Sequence, residues 1–451
     1  MDKNLVKIIL PKDVRLIIDT LEEAGYEAYA VGGCVRDSVL NVVPQDWDIT
    51  TSALPEEIIQ AFKPSYKIVP TGLKHGTVTI VINNDNFEVT TYRVDKDYLD
   101  GRHPESVEFT KSLKEDLSRR DFTINAMAYN EKAGIIDYFG GMDDLNLKLI
   151  KCVGDPLVRF SEDYLRMLRA VRFSAQLNFQ IDKDTFEAIK KLGPRIKDIS
   201  IERIRDEFNK ILLSDPFKLN ILNELEMLEV FLPEFKICLQ TEQNNPYHVY
   251  TVGEHILNTI TNIEPTLQLR LTMLLHDISK PKCKTTDEKG IDHFYGHQDK
   301  SAETAVDILT RMKYDNNTIN KVAILVRFHD RNIPTKKAIR KVLYEIGEEN
   351  FRELLKVKEA DCKGQNPSFY DENHERILEL YEKLQEILEK KNCVSMKDLA
   401  INGRDLIEIG FSQGKDIGVI LTKLLDMVLE KPELNNREAL LKEVTAIIKE
   451  S

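Results

Sequence analysis

The stretch Val31-Gly32-Gly33-Cys34-Val35-Arg36-Asp37, followed by Asp46-Trp47-Asp48, decides the fold of the N-terminal part of this chain. Small and apolar residues at 28–31 predict a buried strand, the two glycines predict a tight turn, and Val35 opens a short helix. We expect Asp46 and Asp48 to lie in a second strand, where side chains two positions apart point to one face. Backbone N–H groups at the glycine turn can hold phosphate, and a carboxylate pair needs a cation such as Mg²⁺. The combination favours chemistry on nucleotide polyphosphates.

These segments resemble the signature of class II nucleotidyltransferases, the family of tRNA CCA-adding enzymes and bacterial poly(A) polymerases. The resemblance rests on Gly-Gly-x-Val-Arg-Asp at 32–37 together with Asp-x-Asp at 46–48. An Asp-x-Asp alone is more often a solvated loop or strand edge, so the glycine motif in front of it matters. The resemblance implies that Asp46 and Asp48 are catalytic and hold Mg²⁺, and that Gly33 and Arg36 bind the nucleotide.

The composition of the 451 residues is typical of a soluble protein with much helix, and two to four domains are expected at this length. No stretch of about 18 apolar residues and no signal-peptide pattern is present, so we expect a cytoplasmic protein without membrane contact. The six cysteines show no Cys-x-x-Cys spacing, which indicates reduced thiols.

The net charge of −12 is unusual for a protein that binds nucleic acid, because phosphate contacts require cations. Two segments reverse this balance. Lys and Arg outnumber Asp and Glu by six to three at 148–172 and by seven to four at 190–210. We interpret these segments as a basic strip that binds RNA, although charge runs are more often ordinary solvated helix faces.

The rest of the N-terminal region predicts a helix over 3–24, a short helix over 56–62 and two strands over 77–82 and 87–93. The polar residues 83–86 between the strands are a hairpin signal. Glu88 therefore lies on a strand that could pair beside Asp46 and Asp48. The resemblance implies a third catalytic carboxylate at this step, whereas an isolated strand Glu more often faces solvent.

Residues 94–113 are polar, contain Gly and Pro, and show no sustained period, which predicts a mobile loop beside the site. Family members that add only CC are described as lacking such a loop. Its presence implies competence to add the terminal A.

The segment 116–128 resembles the second motif of the family. Arg119 and Arg120 can bind triphosphate or ribose through two parallel hydrogen bonds. Asp121 and Asn125 are one helical turn apart, so both can face the sugar. An N-terminal helix turn capped by Asp121 would explain that residue but not the paired arginines. We assign Arg119, Asp121 and Asn125 to nucleotide binding.

The segment 159–173 predicts a helix that Ser161 caps and that buries Tyr164, Met167, Leu168 and Val171. Asp163 and Arg166, at i and i+3, would be neighbours on its surface. An ordinary intrahelical ion pair would explain this spacing equally well. Glu-Asp-x-x-Arg at 162–166 also resembles the family motif that reads the incoming C or A, which implies that Asp163 and Arg166 select the nucleotide. Arg169 and Arg172 follow in the same motif and are assigned to nucleotide binding.

A different set of residues follows Pro233. His255, His276-Asp277, His297, His329 and Asp361 occur in the order expected of an HD-type phosphohydrolase domain. A single buried His is more often a core residue than a ligand, but five in this order favour a metal site. We assign His255, His276, Asp277 and Asp361 to a second divalent metal, and prefer Asp361 to Asp330. The resemblance implies a phosphohydrolase fold, with cyclic phosphates at RNA ends as candidate substrates.

The predicted fold class is α+β, with four regions. A nucleotidyltransferase head with a small mixed or antiparallel sheet spans 1–150, a helical neck for nucleotide selection and RNA binding spans 151–235, and an HD-type helical domain spans 236–370. The last region, 371–451, resembles the C-terminal module of bacterial CCA-adding enzymes, which implies contact with the tRNA body.

The resemblance implies an enzyme that adds C, C and A to tRNA 3′ ends from CTP and ATP, without a template and with Mg²⁺, and releases pyrophosphate. One alternative is an enzyme that adds only CC or only A, or a poly(A) polymerase. A second alternative is an HD-domain phosphohydrolase whose head serves to bind RNA. The sequence does not determine the oligomeric state.

Overall fold

The computed structural model describes residues 7–98, 104–390 and 394–450. The chain forms two units, Met1–Phe231 and Leu232–Ser451, which we call the first and the second unit. The boundary lies close to the predicted one at residue 235. The finer division into four regions stays a prediction.

The first unit combines one main sheet with helices. Its helices are α1 Lys12–Glu23, α2 Gly33–Val39, α3 Pro55–Phe62, α4 Leu113–Ser118, α5 Gly141–Leu147, α6 Pro156–Glu162, α7 Leu165–Leu177, α8 Lys183–Leu192, α9 Ile201–Ser214, α10 Lys218–Glu224 and α11 Leu228–Phe231. Its strands are β1 Ala28–Val31, β2 Ile49–Thr51, β3 Lys67–Gly72, β4 Thr77–Ile82, β5 Asp85–Thr91, β6 Arg93–Tyr98, β7 Pro104–Phe109, β8 Met127–Asn130, β9 Gly134–Asp137, β10 Leu149–Ile150 and β11 Gln180–Ile181.

The main sheet has seven strands in the order β3-β4-β5-β2-β1-β8-β9. Only β2 and β5 are parallel, and the other neighbours are antiparallel. Strand β4 shows why one face is the core face, because Val78, Ile80 and Ile82 are buried while the alternate residues are half-buried. The predicted α+β fold with a mixed N-terminal sheet is confirmed.

The turn between β4 and β5 has the residues that its backbone conformation favours. Asn83 and Asn84 join β4 to β5, and both have positive φ angles, 52° and 71°. Asn tolerates this conformation better than most residues, and a two-residue hairpin turn of this kind matches the twist of the strands. The hairpin predicted at 83–86 is therefore tighter than expected, since β5 already begins at Asp85.

Two predictions for the first unit are wrong in part. The first helix begins at Lys12 rather than at residue 3, and residues 1–6 lie outside the described residues. The loop expected at 94–113 contains the strands β6 and β7, which pair as an antiparallel ribbon, and the start of α4. Main-chain hydrogen bonds hold such a ribbon together without requiring an apolar period in its sequence. Residues 99–103, between the two strands, lie outside the described residues, and the mobility of this segment stays a prediction.

The second unit is almost entirely helical. Its helices are α12 Pro233–Gln240, α13 Val252–Thr261, α14 Leu267–Leu275, α15 Lys280–Cys283, α16 His297–Arg311, α17 Asn316–Phe328, α18 Lys336–Lys363, α19 Tyr370–Glu389, α20 Gly403–Glu408, α21 Lys415–Glu430 and α22 Arg437–Glu450. Two short strands, β12 Thr285–Thr286 and β13 Asp292–His293, pair with each other. Helix α18 is kinked at Gly347, whose φ of 80° is non-helical.

Residues 399–444 contain a hydrophobic core of their own, in which Leu406, Leu424, Val428, Leu440 and Val444 are almost completely buried. This core packs α20, α21 and α22 together. Within the described residues, no helix is both long and apolar enough to cross a membrane.

Candidate functional site

The two candidate catalytic aspartates lie immediately before strand β2, and not within a strand as expected. Strands β2 and β5 are parallel, with Ile49 opposite Val89. Asp48 and Glu88 each precede one member of this pair, so the third carboxylate that we expected lies on the strand next to the aspartates. Asp46, Asp48 and Glu88 are all exposed to water. Three exposed carboxylates thus lie on or just before the neighbouring strands β2 and β5, in the interior of the sheet order.

The surroundings of Asp48 make the negative charge of its carboxylate less favourable. Partial loss of hydration raises the pKa of its carboxyl above the ordinary value, Arg120 acts in the opposite direction, and the negative charge of Asp46 adds to the rise. A divalent cation would stabilise the charged form of this carboxylate, and carboxylate oxygens are the ligands that Mg²⁺ prefers. The residues present therefore fit a Mg²⁺ ion.

Gly32 leaves space for the side chain of Arg120. Its φ of 84° is in the left-handed region, and a Cβ atom built on it would lie 3.0 Å from Nη1 of Arg120. Hydrogen bonds from Val31 N to Asp48 O, 3.0 Å, and from Gly32 N to Met127 O, 3.1 Å, fix the turn between its neighbours. Glycine is thus needed both for the backbone conformation and for the space beside Arg120.

Asp116 is a residue of this site whose role the sequence analysis missed. Its buried carboxylate accepts hydrogen bonds from Thr50 Oγ1, 3.1 Å, and Arg119 Nε, 3.0 Å, and lies 3.6 Å from Nη2 of Arg120. Burial alone would raise the pKa of Asp116, but the charges of both arginines outweigh it and lower this pKa. The spacing of Asp116 to Arg119 and Arg120, i+3 and i+4, is the signal that could have identified it. The carboxylate holds the paired arginines beside strand β2.

A chain of polar contacts joins four of the predicted nucleotide-binding residues. Arg36 donates to Asn125 Oδ1 at 2.7 Å, and Asn125 donates to Asp121 Oδ1 at 3.2 Å. Arg169 donates to Asp121 Oδ2 through Nε at 2.8 Å and Nη2 at 2.6 Å. The predicted proximity of Asp121 and Asn125 is present, with their side chains in direct contact.

The ring of Phe173 lies beside this chain of contacts and packs against three arginines. The guanidinium carbons of Arg36, Arg169 and Arg172 lie 5.1, 5.5 and 4.1 Å from the centre of its ring. Cations over an aromatic face are attracted by its negative quadrupole, which lets three like charges gather. Burial, with Arg169 nearby, lowers the pKa of Arg172 to about 10, against the pull of Glu207. The cluster is a concentrated, pre-organised positive region suited to an anionic ligand.

The helix predicted from Ser161 onward is interrupted. Helix α6 ends at Glu162, Asp163 is extended with φ −148° and ψ 105°, and α7 begins at Leu165. Ser161 is not a cap, because it lies inside α6 and its hydroxyl donates to Leu157 O at 2.8 Å. The prediction of one continuous helix is therefore wrong. The carboxylate of Asp163 instead accepts from the backbone N–H of Leu165, the first residue of α7, at 3.0 Å.

The break separates Asp163 from Arg166, and each has a different partner. Asp163 Oδ2 lies 2.8 Å from Nη2 of Arg203, which comes from α9. Arg166 bonds Glu162 and also donates to the carbonyls of Arg159, 2.9 Å, and Arg119, 3.2 Å. Asp163 lies outside both helices while Arg166 lies in α7, so the intrahelical pair that was the alternative explanation does not describe these two residues. Because Arg203 is 40 residues away in sequence, no local pattern could have paired it with Asp163.

We expect Arg203→Ala to lower kcat/KM for CTP and ATP by about 10-fold or more, because Asp163 loses the guanidinium that orients it. Arg203→Lys should restore part of the loss. Single-nucleotide incorporation with each of the four triphosphates would measure both rate and selectivity. Lys183→Ala, which removes an exposed cation at the start of α8, is the control. An unchanged rate and selectivity in Arg203→Ala would show that Asp163 is held by other contacts.

Asp121 offers a pH-dependent test of the polar chain. Burial opposes its charge, but the charge and hydrogen bonds of Arg169 and the amide of Asn125 lower its pKa to about 2, from 3.8. A lowered pKa in the folded state contributes stability above pH 4, and this contribution disappears as the pH falls from about 4 to about 2. We expect Asp121→Asn to reduce the free energy of unfolding at pH 7 by about 2 kcal/mol.

The difference between Asp121→Asn and wild type should shrink as the pH approaches 2. Urea titrations followed by the fluorescence of Trp47, the single tryptophan, would report on the first unit. Asp19→Asn, an exposed carboxylate on α1, should match wild type at every pH. A difference that stays constant with pH would mean that the Asn side chain acts sterically.

The second unit brings together the six residues that were expected in HD order. His255 comes from α13, His276 and Asp277 follow α14, His297 begins α16, His329 follows α17 and Asp361 lies in the last turn of α18. His255 Nε2 lies 3.0 Å from Asp361 Oδ1, so Asp361, and not Asp330, stands beside the first histidines. His293 is outside the cluster and pairs with Asp287 at 3.1 Å.

Acidic and basic side chains lie close together in this cluster. Burial works against a positive charge on His276, but Asp277 and Asp361 outweigh it and raise its pKa to about 10. Histidine and carboxylate atoms from two overlapping groups, His255, His276 and Asp277, and Asp277, His297 and His329, lie close enough to ligate metal. The donor set of nitrogen and oxygen fits a divalent transition metal.

Comparison with known proteins connects these sites to a family. Three family models match parts of this chain. The model of the poly A polymerase head domain matches residues 28–151, and that of a probable RNA and SrmB-binding site of polymerase A matches 178–239. The model of a putative tRNA nucleotidyltransferase domain 2 matches 284–444. The last match overlaps the region predicted to be HD-type, and that assignment stays a prediction.

Relatives match nearly the whole chain. The CCA-adding enzyme of Ligilactobacillus salivarius is 34% identical over 435 residues and 96% of each chain, and that of Limosilactobacillus reuteri is 35% identical over 465 residues and 99% of each. The structure of the Bacillus stearothermophilus CCA-adding enzyme in complex with CTP has a TM-score of 0.70 at 29% identity, covering 98% of this chain and 100% of that one. The Thermotoga maritima CCA-adding enzyme complexed with tRNA shares the fold, with a TM-score of 0.61 at 24% identity over 99% and 98%. The chain belongs to the family of CCA-adding enzymes, which are tRNA nucleotidyltransferases.

Proposed function

We propose that this protein adds C, C and A to the 3′ ends of tRNA from CTP and ATP and releases pyrophosphate with each addition. The observation that carries the proposal is the arrangement of the first unit, where three carboxylates beside Gly32 stand next to arginines held by Asp116. The relatives and solved neighbours named CCA-adding enzymes support the same conclusion. Since tRNA is the substrate, we further propose a cytoplasmic location.

The carboxylates of Asp46, Asp48 and Glu88 would hold Mg²⁺, which supplies charge neutralisation at the phosphates and lowers the pKa of the attacking hydroxyl. The 3′-oxygen of the tRNA forms a bond to the α-phosphorus, and the bond from that phosphorus to the β-phosphate oxygen breaks. The hydroxyl proton passes to solvent and pyrophosphate leaves. Arg120, beside the glycine turn, and Arg119 would bind the triphosphate, with positioning and electrostatics as the source of catalysis.

Asp163 and Arg166 would select the nucleotide through the edge of its base. Cytosine presents an amino donor next to the N3 acceptor, and adenine presents an amino donor next to N1. A carboxylate that accepts from the amino group and a guanidinium that donates to the ring nitrogen therefore suit both. Uracil and guanine present a carbonyl and a ring N–H there, which would face these groups with the wrong polarity. The pair thus explains how one site could accept C and A and reject U and G.

The cluster of Arg36, Arg169 and Arg172 over Phe173 would hold the ribose and phosphates through fixed positive charge. The basic segments at 148–172 and 190–210 would bind the acceptor end of tRNA, mainly through phosphate and shape. Addition of only CC or only A, or of poly(A), would use the same chemistry. These alternatives differ in the length and composition of the product.

The second unit supports a second candidate function. Its buried cluster of His255, His276, Asp277 and Asp361 is the ligand set expected for a metal-dependent phosphohydrolase. We propose that this unit binds a divalent metal and hydrolyses phosphate esters, with cyclic phosphates at RNA ends as one candidate. This activity would exist beside nucleotide addition, because the carboxylates proposed for nucleotide addition all belong to the first unit.

We expect Asp48→Ala to reduce nucleotide addition by at least about a hundredfold, because the carboxylate that positions Mg²⁺ is lost. Purified protein with Mg²⁺ would be incubated with three tRNA transcripts, ending before CCA, after C and after CC. CTP and ATP would be supplied singly and together, and products read at single-nucleotide resolution. Asp85→Ala, which removes an exposed carboxylate at the start of β5, is the matched control.

Wild type and Asp85→Ala should extend the shortest transcript by three nucleotides and stop. Addition of A only to the transcript that ends in CC, of CC alone, or of long A tails would overturn the proposed specificity while leaving the transferase chemistry intact. Full activity in Asp48→Ala would overturn the assignment of the catalytic carboxylates.

A further inference from the structure

The side chain of Arg159, in the middle of α6, contacts three different segments of the first unit. Its Nη2 donates to the backbone carbonyl of Ser118 at 2.7 Å, and its Nε donates to the carbonyl of Val153 at 3.3 Å. Its Nη1 donates to Glu162 Oε2 at 2.7 Å. Every nitrogen of the guanidinium is therefore hydrogen-bonded. The side chain is 14% exposed, so water screens these contacts only weakly.

Two of these contacts hold the segment that carries the arginines proposed to bind the triphosphate. Ser118 is the last residue of α4 and directly precedes these two arginines. Carbonyls at the C-terminal end of a helix lack intrahelical partners and carry partial negative charge, so a guanidinium is a favourable partner there. Val153 in turn donates its backbone N–H to the carbonyl of Asp121 at 3.2 Å. Arg159 thus fixes the backbone just before the two arginines and, through Val153, the backbone just after them.

The third contact reaches the side chain proposed to read the base. Glu162 Oε2 accepts from Nη1 of Arg159 and also from Nη1 of Arg166. The backbone carbonyl of Arg159 accepts from the same nitrogen of Arg166 at 2.9 Å. A carboxylate bound by two guanidiniums is held in place by both of them. Without the Arg159 side chain, Glu162 would keep one cation and would be free to move with it.

Arg166 contacts the triphosphate-binding segment as well. Its Nη2 donates to the backbone carbonyl of Arg119 at 3.2 Å. The adjacent carbonyl, that of Ser118, is the one that accepts from Arg159. Two neighbouring carbonyls of one segment are thus bound by two guanidiniums, and these two guanidiniums share Glu162. The position of the segment and the position of Arg166 therefore depend on each other.

We infer that Arg159 is a positioning residue for nucleotide selection, which links the orientation of Arg166 to the segment that binds the triphosphate. The inference rests on the function proposed for the first unit and deepens it, because it names the group that connects base reading with phosphate binding. Arg159 itself does not touch the nucleotide. It acts through the carboxylate of Glu162 and the carbonyl of Ser118.

This link makes discrimination depend on the rate of the chemical step. A base that accepts a hydrogen bond from Arg166 leaves the guanidinium, and with it the segment, in place for attack on the α-phosphorus. A base that presents a ring N–H at this point displaces the guanidinium. Through Glu162 and Arg159 the displacement reaches the backbone that carries the triphosphate-binding arginines. A misplacement of about 1 Å is enough to slow a reaction by roughly a hundredfold, so the wrong base is rejected mainly through kcat.

The rival explanation is a purely structural role, in which Arg159 only holds α6 against neighbouring segments. The contacts with Ser118 and Val153 would be sufficient for that role, and the carboxylate shared with Arg166 would not be needed. The two explanations differ in what loss of the side chain does to selectivity. A structural role slows the incorporation of every nucleotide by the same factor.

Arg159→Ala tests the link. Incorporation of each of the four triphosphates would be measured on tRNA transcripts ending before CCA, after C and after CC. For the accepted nucleotides we expect kcat to fall by about 10-fold or more and KM to change by less than about threefold. The ratio of kcat/KM between accepted and rejected nucleotides should fall by at least about 10-fold. Arg159→Lys keeps the charge but not the planar fork of donors, so its ratio should lie between those of wild type and Arg159→Ala.

Arg15→Ala is the matched control, since Arg15 is an exposed arginine of α1 that pairs with Glu131. It should equal wild type in rate and in selectivity. Circular dichroism and urea unfolding would show which variants are folded, and Arg159→Lys carries the test if Arg159→Ala is not. An unchanged ratio in a folded Arg159 variant would overturn the inference, whatever the loss of rate.

Failure of the proposed function would be seen in the wild type instead. A wild type that accepts another set of nucleotides would overturn the addition of C, C and A, and the ratio between accepted and rejected nucleotides would still decide the role of Arg159. A wild type that incorporates no nucleotide would overturn both. A selective wild type with an equally selective Arg159→Ala would overturn this inference alone.

Discussion

The carboxylate of Asp121 is the contact on which the first unit depends. It accepts two hydrogen bonds from Arg169 on α7 and one from Asn125, beside β8, and Asn125 accepts in turn from Arg36 on α2. These hydrogen bonds hold together three segments that are far apart in the sequence, namely α2, residues 121–125 and α7. Because the carboxylate is buried, each of these donors is needed to offset the loss of water. The same contact keeps Arg36 and Arg169 against Phe173.

The arrangement of the arginines explains how a protein of net charge −12 can bind nucleotides. Positive charge is concentrated at one place and each guanidinium is supported, by Asp116, by Asp121 or by the face of Phe173. Local field and not total charge decides the affinity for phosphate. Fixed donors also need no reorganisation when a triphosphate arrives, which is what electrostatic catalysis requires.

The break between α6 and α7 gives Asp163 and Arg166, the two residues proposed to select the nucleotide, separate partners. Arg203 holds Asp163, while Glu162 and two backbone carbonyls hold Arg166. On one continuous helix the two side chains could have neutralised each other. Separated, each is held by its own partners.

The sequence by itself determined the fold class and the family, and it predicted residues for the first site, because glycine turns, apolar alternation and short motifs act over a few residues. It also predicted that His297 and His329 belong with the other histidines and aspartates of the second unit, but not that they form a group with Asp277. Only the tertiary structure decided the pairing of Asp163 with Arg203, the ribbon of β6 and β7, the break at Asp163 and the position of Asp277 between two histidine pairs. Each of these depends on contacts between segments tens of residues apart, or on a backbone conformation set by those contacts. Local patterns carry no information about such contacts, since the partner of a buried charge is chosen by the packing of whole elements.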